Sequence, residues 1–315
     1  MADTLKIGVS SCLLGEKVRY DGGHKLNRYI TDVLGPRFTF VPVCPEVGCG
    51  LPVPREAMRL EGDPAGPRLV TIGSRIDLTE RMLAFCRQAV STLERENLCG
   101  FVFKKGSPSS GLFRVRVWNR GLPDRHSQGL FARAVVEHFP LLPVEEEGRL
   151  EDPDLRENFI ERVFAFSRLR DSIQNDGSIG GLVNFHSRHK LQLMAHHPAL
   201  CREMGWMVAA ARSMEHRELL ERYGRRFMAT LGFHATVRKN TDVLRHIAGY
   251  FGKLLPADEK QELAEMIGQY QGRLVPLVVP LTLLKHYARK FDHPYLREQT
   301  YLDPHPAELM LRNHA

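Results

Sequence analysis

The sequence predicts a mainly parallel α/β domain followed by an all-α domain. Residues 5–150 alternate short β-branched runs with helical apolar periods, whereas residues beyond about 181 show helical periods only. The 315 residues are enough for two separate cores. The expected layout is 1–150 for the α/β domain, 151–180 for a linker helix and loop, and 181–315 for a basic helical domain.

Each element follows from local sequence. Lys6-Ile7-Gly8-Val9-Ser10 is a buried strand, a helix follows from about His24 to Leu34, and Phe38–Val43 is the second strand. Arg68–Ile72 is a further strand, and Thr79 caps a helix running to about Asn97. Gly100–Lys104 is a strand that ends at a serine- and glycine-rich turn. Val115 and Val117 alternate with Arg114 and Arg116, the pattern of a half-exposed strand. Gly129–Phe139 reads as a helix and Leu141–Val144 as a last strand, completing a Rossmann-like arrangement. Asp152-Pro153 opens a helix to about Ser172, and 174–181 is a loop.

Composition narrows the class. Apolar content of 43% and charged content of 26% are those of a globular protein. Met1–Lys6 has no apolar signal core, so no export is expected. The longest apolar run, Leu274–Leu284, is broken by Pro276 and Pro280, so no membrane span is expected. A cytoplasmic location keeps thiols reduced, and the six cysteines are then metal ligands, catalytic groups or core residues.

Chemistry concentrates at strand ends. Cys12 follows the first strand, Cys44-Pro45-Glu46-Val47-Gly48-Cys49 follows the second, and Ser107-Pro108-Ser109-Ser110-Gly111 follows another. In a parallel sheet these ends share one edge. Cys86 lies on an apolar helix face, Cys99 at the opposite end of its strand and Cys201 in the helical half, so these three read as core. Spacing alone leaves three readings, in this order: an iron–sulfur cluster on three thiolates, a nucleophilic thiol with His24 as its base, and a zinc site. No G-x-G-x-x-G follows the first strand.

Ser10-Ser11-Cys12-Leu13-Leu14-Gly15, Val18-Arg19-Tyr20-Asp21-Gly22-Gly23-His24-Lys25, Cys44-Pro45-Glu46-Val47, Ser107-Pro108-Ser109 and Pro143–Gly148 together resemble the thiouracil desulfidase family. Asn184–Lys190, Asn240–Leu244, Gly249–Phe251 and Leu284–Tyr287 resemble a helical domain fused to it in bacterial desulfidases that act on 4-thiouridine in tRNA. The resemblance implies a [4Fe–4S] cluster on three cysteines, with a fourth iron free for the substrate's sulfur. Ser110 stands where that family usually has its third cysteine. A serine hydroxyl is a hard donor compared with a thiolate. Cys49 is the other thiol expected on that edge, and Cys12, Cys44 and Cys49 are the expected ligands. The alternative is a degenerate binder that has lost its cluster.

Under the same resemblance, Glu46 activates water or moves a proton, and Ser107 hydrogen-bonds the base or its developing charge. Without it, Glu46 reads as a helix cap and Ser107 as a turn residue. Arg19, Tyr20, Lys25, Ser109 and Ser110 are the expected substrate contacts. Thiolated tRNA and small thiolated pyrimidines are the expected partners.

The net charge of +7 is unevenly placed. Residues 181–256 hold 12 Lys and Arg against 5 Asp and Glu, an excess equal to the whole net charge. That composition suits a polyanion, and Arg222, Arg225, Arg226, Arg238 and Lys239 are the expected RNA contacts. His186, His189, His196 and His197 lack a completing Cys or carboxylate in the sequence pattern and read as surface or RNA-facing groups.

Overall fold

The computed structural model describes residues 4–119 and 122–313, the side chain of Arg125 excepted. The chain forms two compact units, Met1–Asp152 and Pro153–Ala315.

The first unit contains β1 (Leu5–Ser10), β2 (Phe38–Val43), the short helix α1 (Pro45–Gly48), β3 (Met58–Glu61) and β4 (Arg68–Thr71). It continues through α2 (Thr79–Glu94), β5 (Gly100–Phe103), β6 (Val115–Asn119), β7 (Leu122–Ser127), α3 (Leu130–His138) and β8 (Val144–Glu146). One sheet has the order β2-β1-β5-β8, and every pairing in it is parallel. Ser10 lies opposite Val43, so β1 and β2 end together. Ile7 and Val9 on β1 and all of Gly100–Phe103 on β5 are buried, which explains their continuous apolar runs. Gly8 is required here: a Cβ at this position would sit 2.2 Å from the Phe101 ring. That ring stacks on Phe103 with centroids 4.2 Å apart and meets Phe131 of α3 edge-on at 5.8 Å.

A second four-stranded sheet has the order β4-β3-β6-β7. β3 pairs antiparallel with β4 and parallel with β6, and β6 pairs antiparallel with β7. Val115 and Val117 are buried and Arg116 is exposed, as their alternation requires. The sequence marks strands at β4 and β6 but not their segregation into a separate sheet.

Two local expectations change. The helix expected over 24–34 is reduced to a wide turn at Tyr29–Leu34. The N–H groups of Lys25 and Asn27 instead donate to Cys12 O at 2.8 Å and Leu13 O at 2.9 Å, tying this segment to the loop after β1. Thr79 does not cap α2: its hydroxyl accepts from Leu69 N–H at 2.9 Å, and Asp77 accepts the Thr79 N–H at 2.9 Å.

The second unit is helical: α4 (Pro153–Asn175), α5 (Ile179–His196), α6 (Pro198–Ala209), α7 (His216–Leu231), α8 (Val237–Tyr250), α9 (Ala257–Gln271) and α10 (Val278–Lys290). The segment 151–180 is therefore not a linker. α4 buries Phe159, Ile160 and Val163 and packs on α5 and α7. A core of Leu191, Val243, Leu244, Ile247, Phe251 and Leu284 joins α5, α8 and α10. The histidines of α5 are also not surface groups, because His186, His189 and His196 are buried. His196 lies 3.4 Å from the buried Glu161, which also accepts from Gln192 at 2.7 Å. No helix of the described residues is long and apolar enough to cross a membrane.

Candidate functional site

The carboxyl ends of β1, β2 and β5 enclose a cavity of about 430 Å³ in the first unit. Cys12, Cys44, Glu46, Ser107 and Ser110 line it, together with Arg19, Tyr20 and Lys25. Four loops that are distant in sequence thus meet where a parallel sheet presents its strand ends. Cys12 lies in the turn Ser11–Leu14 directly after β1, and Gly15 ends that turn with φ +94°. Cys44 follows β2 directly, and Glu46 lies in the first turn of α1.

Glu46 is the best-held side chain in the cavity. Ser109 donates to its Oε1 at 2.6 Å, and Ser107 lies 3.4 Å from the same oxygen. The Cys44 thiol points at Oε2 from 3.4 Å, and the Arg55 guanidinium is 3.9 Å from that oxygen. Arg55 itself donates to Val18 O at 2.9 Å, which links the α1 turn to the loop that carries Arg19 and Tyr20. Burial raises the Cys12 thiol to about 11, opposed by Lys104 and Arg19. Burial, then the Glu46 charge, raises Cys44 to about 12. Without a metal, both sulfurs therefore stay protonated near neutral pH.

The structure overturns the expected three-cysteine convergence. Cys49 does not line the cavity. Its thiol donates to Glu46 O at 3.2 Å, and its carbonyl accepts from Arg81 of α2 at 2.5 Å. The turn of α1 carries Cys49 to Arg81 of α2 and off the cavity wall. Among the described residues, no group of three or more Cys, His, Asp or Glu side chains could hold a metal ion. Ser110 lines the cavity wall where Cys49 does not, together with Ser10, Ser11 and Ser107. His24 is also outside the wall; its Nδ1 accepts from Leu26 N–H at 3.1 Å, which leaves neither thiol with the base expected for it.

Ser109 contributes through Glu46 and does not line the cavity itself. Sequence reading missed Arg55, Lys104 and Lys105, all on the wall. The position of Lys104-Lys105 directly after β5 was the available signal; Arg55 had none, because it reaches the site from a loop. Gly129 is a further hidden constraint, since a Cβ there would fall 2.4 Å from Ser109 C and O. Gly129→Ala should displace the serine loop and cost about 1–3 kcal/mol, as overpacking does. Urea unfolding checks this, and an unchanged midpoint would show that the loop yields freely.

The basic residues of the second unit fare unevenly as phosphate contacts. Arg222, Arg225 and Arg238 are exposed. Arg226 is paired with Glu203 at 3.0 Å. Lys239 is committed to the fold, because its Nζ donates to His196 O at 2.6 Å and His234 O at 2.9 Å. The groove beside Arg222, Arg225 and Arg226 also holds Glu218 and Glu221, which dilutes its positive charge.

A parallel sheet that gathers two thiols, a held carboxylate and a serine loop at one edge has the make-up of a small-molecule site. Residues 7–147 match the family described as 2-thiouracil desulfurase, and residues 190–306 match a family of proteins of unknown function, DUF1722. The chain is 31% identical over 153 residues to the uncharacterized protein YbgA of Escherichia coli (strain K12), covering 48% of this chain and 90% of that one. It is 29% identical over 108 residues to the uncharacterized protein YbbK of Bacillus subtilis (strain 168), covering 33% of this chain and 71% of that one. A solved structure titled [4Fe-4S]-dependent thiouracil desulfidase TudS is 31% identical, with a TM-score of 0.40, over 47% of this chain and 94% of that chain. The first unit is thus a domain of the 2-thiouracil desulfurase family. Through the 153 residues that align, 48% of its length, the chain belongs to the family that includes YbgA.

Proposed function

We propose that this protein is an iron–sulfur desulfidase that converts a thiolated pyrimidine to its oxygen counterpart, with 4-thiouridine in tRNA as the substrate and hydrosulfide as the product. The carrying observation is the joint placement of Cys12, Cys44, Glu46 and Ser110 on one cavity wall, in a domain that matches the 2-thiouracil desulfurase family.

The donor set fits a [4Fe–4S] cluster, with a change of ligand. Cys12 and Cys44 offer two soft sulfurs and Ser110 an oxygen, and in this reading these two cysteines and one serine would hold the cluster in place of the three expected cysteines. Arg19, Lys25, Arg55 and Lys104 line the same cavity; Arg19 is paired with Asp21, Arg55 with Glu46 and Lys104 with Glu147, and Lys25 makes no ion pair among the described residues and is left to face an anionic cluster. When bound, such a cluster supplies a Lewis-acidic iron with affinity for soft sulfur. The chain's own groups do the rest. Glu46, aligned by Ser109 and Arg55, takes a proton from the water that adds to the ring carbon. Ser107 lines the same cavity and in this reading hydrogen-bonds the base. Water oxygen replaces sulfur, hydrosulfide leaves, and no electrons are gained or lost.

The test is anaerobic purification with iron and sulfide analysis, then incubation with 4-thiouridine-containing tRNA, free 4-thiouridine and 2-thiouracil. Loss of thio-base absorbance with an equal release of sulfide is the expected result, fastest on tRNA. Turnover confined to the free base would make this a small-molecule thiouracil desulfidase. Binding of tRNA without loss of sulfur would leave an RNA-binding protein whose cluster site has decayed.

A further inference from the structure

We infer that a single-stranded stretch of RNA lies along the open face of the second sheet, in a groove of about 1230 Å³ that runs into the cavity holding Cys12 and Cys44. This rests on the polynucleotide reading given above and adds an RNA contact on the first unit to those expected of the second. The groove and the cavity share Met58, Lys105, Gly106 and Pro108 as wall, so a strand in the groove can place one base in the cavity without leaving the surface.

The chemistry of the groove is that of a strand-tracking surface. Six cations line it: Arg59, Lys105, Arg114, Arg116, Arg133 and Arg149. Its one acidic lining residue, Glu146, is buried and accepts from the N–H groups of Leu112 and Phe113 at 2.9 and 3.1 Å. Arg59 is paired with Glu61 and Arg149 with Glu145, while Arg133 donates to the Pro64 and Ala65 carbonyls. Lys105, Arg114 and Arg116 are exposed and make no ion pair among the described residues. These three are the cations left for phosphate.

Two aromatic rings sit between the charges. Phe113 is 41% exposed, with the Arg149 guanidinium 4.9 Å from its ring centre. Trp118 is half-buried, with Arg59 at 5.2 Å. The guanidinium contacts hold each ring in place, and β6 places Arg116 and Trp118 on the same side of the sheet, two residues apart. Rings interleaved with unpaired cations are how proteins hold unpaired bases and their phosphates. A small free pyrimidine needs none of this surface. The groove of the second unit, by contrast, mixes its arginines with Glu218 and Glu221.

The test uses the anaerobically purified full chain and an oligoribonucleotide of about ten nucleotides with one central 4-thiouridine, a length within the range such surfaces occupy. Arg116→Glu is combined with Arg114→Asn, because Arg114 has φ +52° and asparagine tolerates that conformation. Binding should weaken at least 30-fold, and the slope of log affinity against log salt should flatten by about 1.4, for two lost phosphate contacts. Turnover of free 4-thiouridine should stay within twofold. Phe113→Ala should weaken binding with the salt slope unchanged. Wild-type binding that both sets of substitutions leave intact would overturn the groove and spare the desulfidase reading. If the wild-type chain binds no RNA at any salt concentration, the polynucleotide substrate falls along with the groove. Should the double variant lose free-base turnover, Phe113→Ala decides: unchanged affinity overturns the groove.

Discussion

Cys12→Ser and Cys44→Ser should each reduce bound iron and acid-labile sulfide to background, whereas Cys49→Ser should retain the wild-type content. The two thiols share the cavity wall, while Cys49 is turned toward α2 and bonded to Glu46 O. Metal binding must remove a proton from each sulfur, and burial holds those protons to about 11 and 12. Two thiolates must therefore act together with Ser110, and losing either leaves one soft donor. Desulfidation should fall at least 1000-fold in both variants. Ser110→Cys should bind iron more tightly, and Ser110→Ala should lose it on desalting. A Cys49→Ser protein stripped of iron would return Cys49 to the ligand set and refute the Ser110 assignment.

The second large effect is at Glu46. Glu46→Gln preserves shape and still accepts from Ser109, but an amide oxygen does not take a proton from water. Turnover should fall roughly 100- to 10,000-fold, the usual range for loss of a general base. Iron content and substrate affinity should stay near wild type. Near-normal turnover would return Glu46 to a purely structural role beside Arg55. Ser109→Ala should show a weaker form of the same defect, because the carboxylate keeps its charge but loses its closest hydrogen bond, at 2.6 Å.

Much of the site was legible in the sequence because a parallel sheet sends its strand ends to one edge. A buried strand that stops at Cys44-Pro45-Glu46, another that stops before Cys12, and a serine turn after β5 had to meet there. The same logic failed for Cys49. Four residues of helix, Pro45–Gly48, turn the chain back on itself, and such a turn carries no signal in residue spacing. Position on an edge is a property of strands; the side from which a residue faces a cavity is a property of the turn that follows.

The second unit divides in a similar way. Its helices followed from apolar periods, and its positive charge was countable. Whether a charged group faces solvent or the core depended on packing: His186, His189 and His196 are buried, and Lys239 binds two backbone carbonyls. By itself the sequence determined the two-domain layout, the strand ends that bear cysteine, glutamate and serine, and the location of excess charge, because these depend on local pattern. Only the tertiary structure decided that Ser110 lines the cavity while Cys49 does not, that Arg55 reaches Glu46, and that Arg114, Arg116, Phe113 and Trp118 share one open groove. Those outcomes depend on contacts between distant segments, and no local periodicity encodes them.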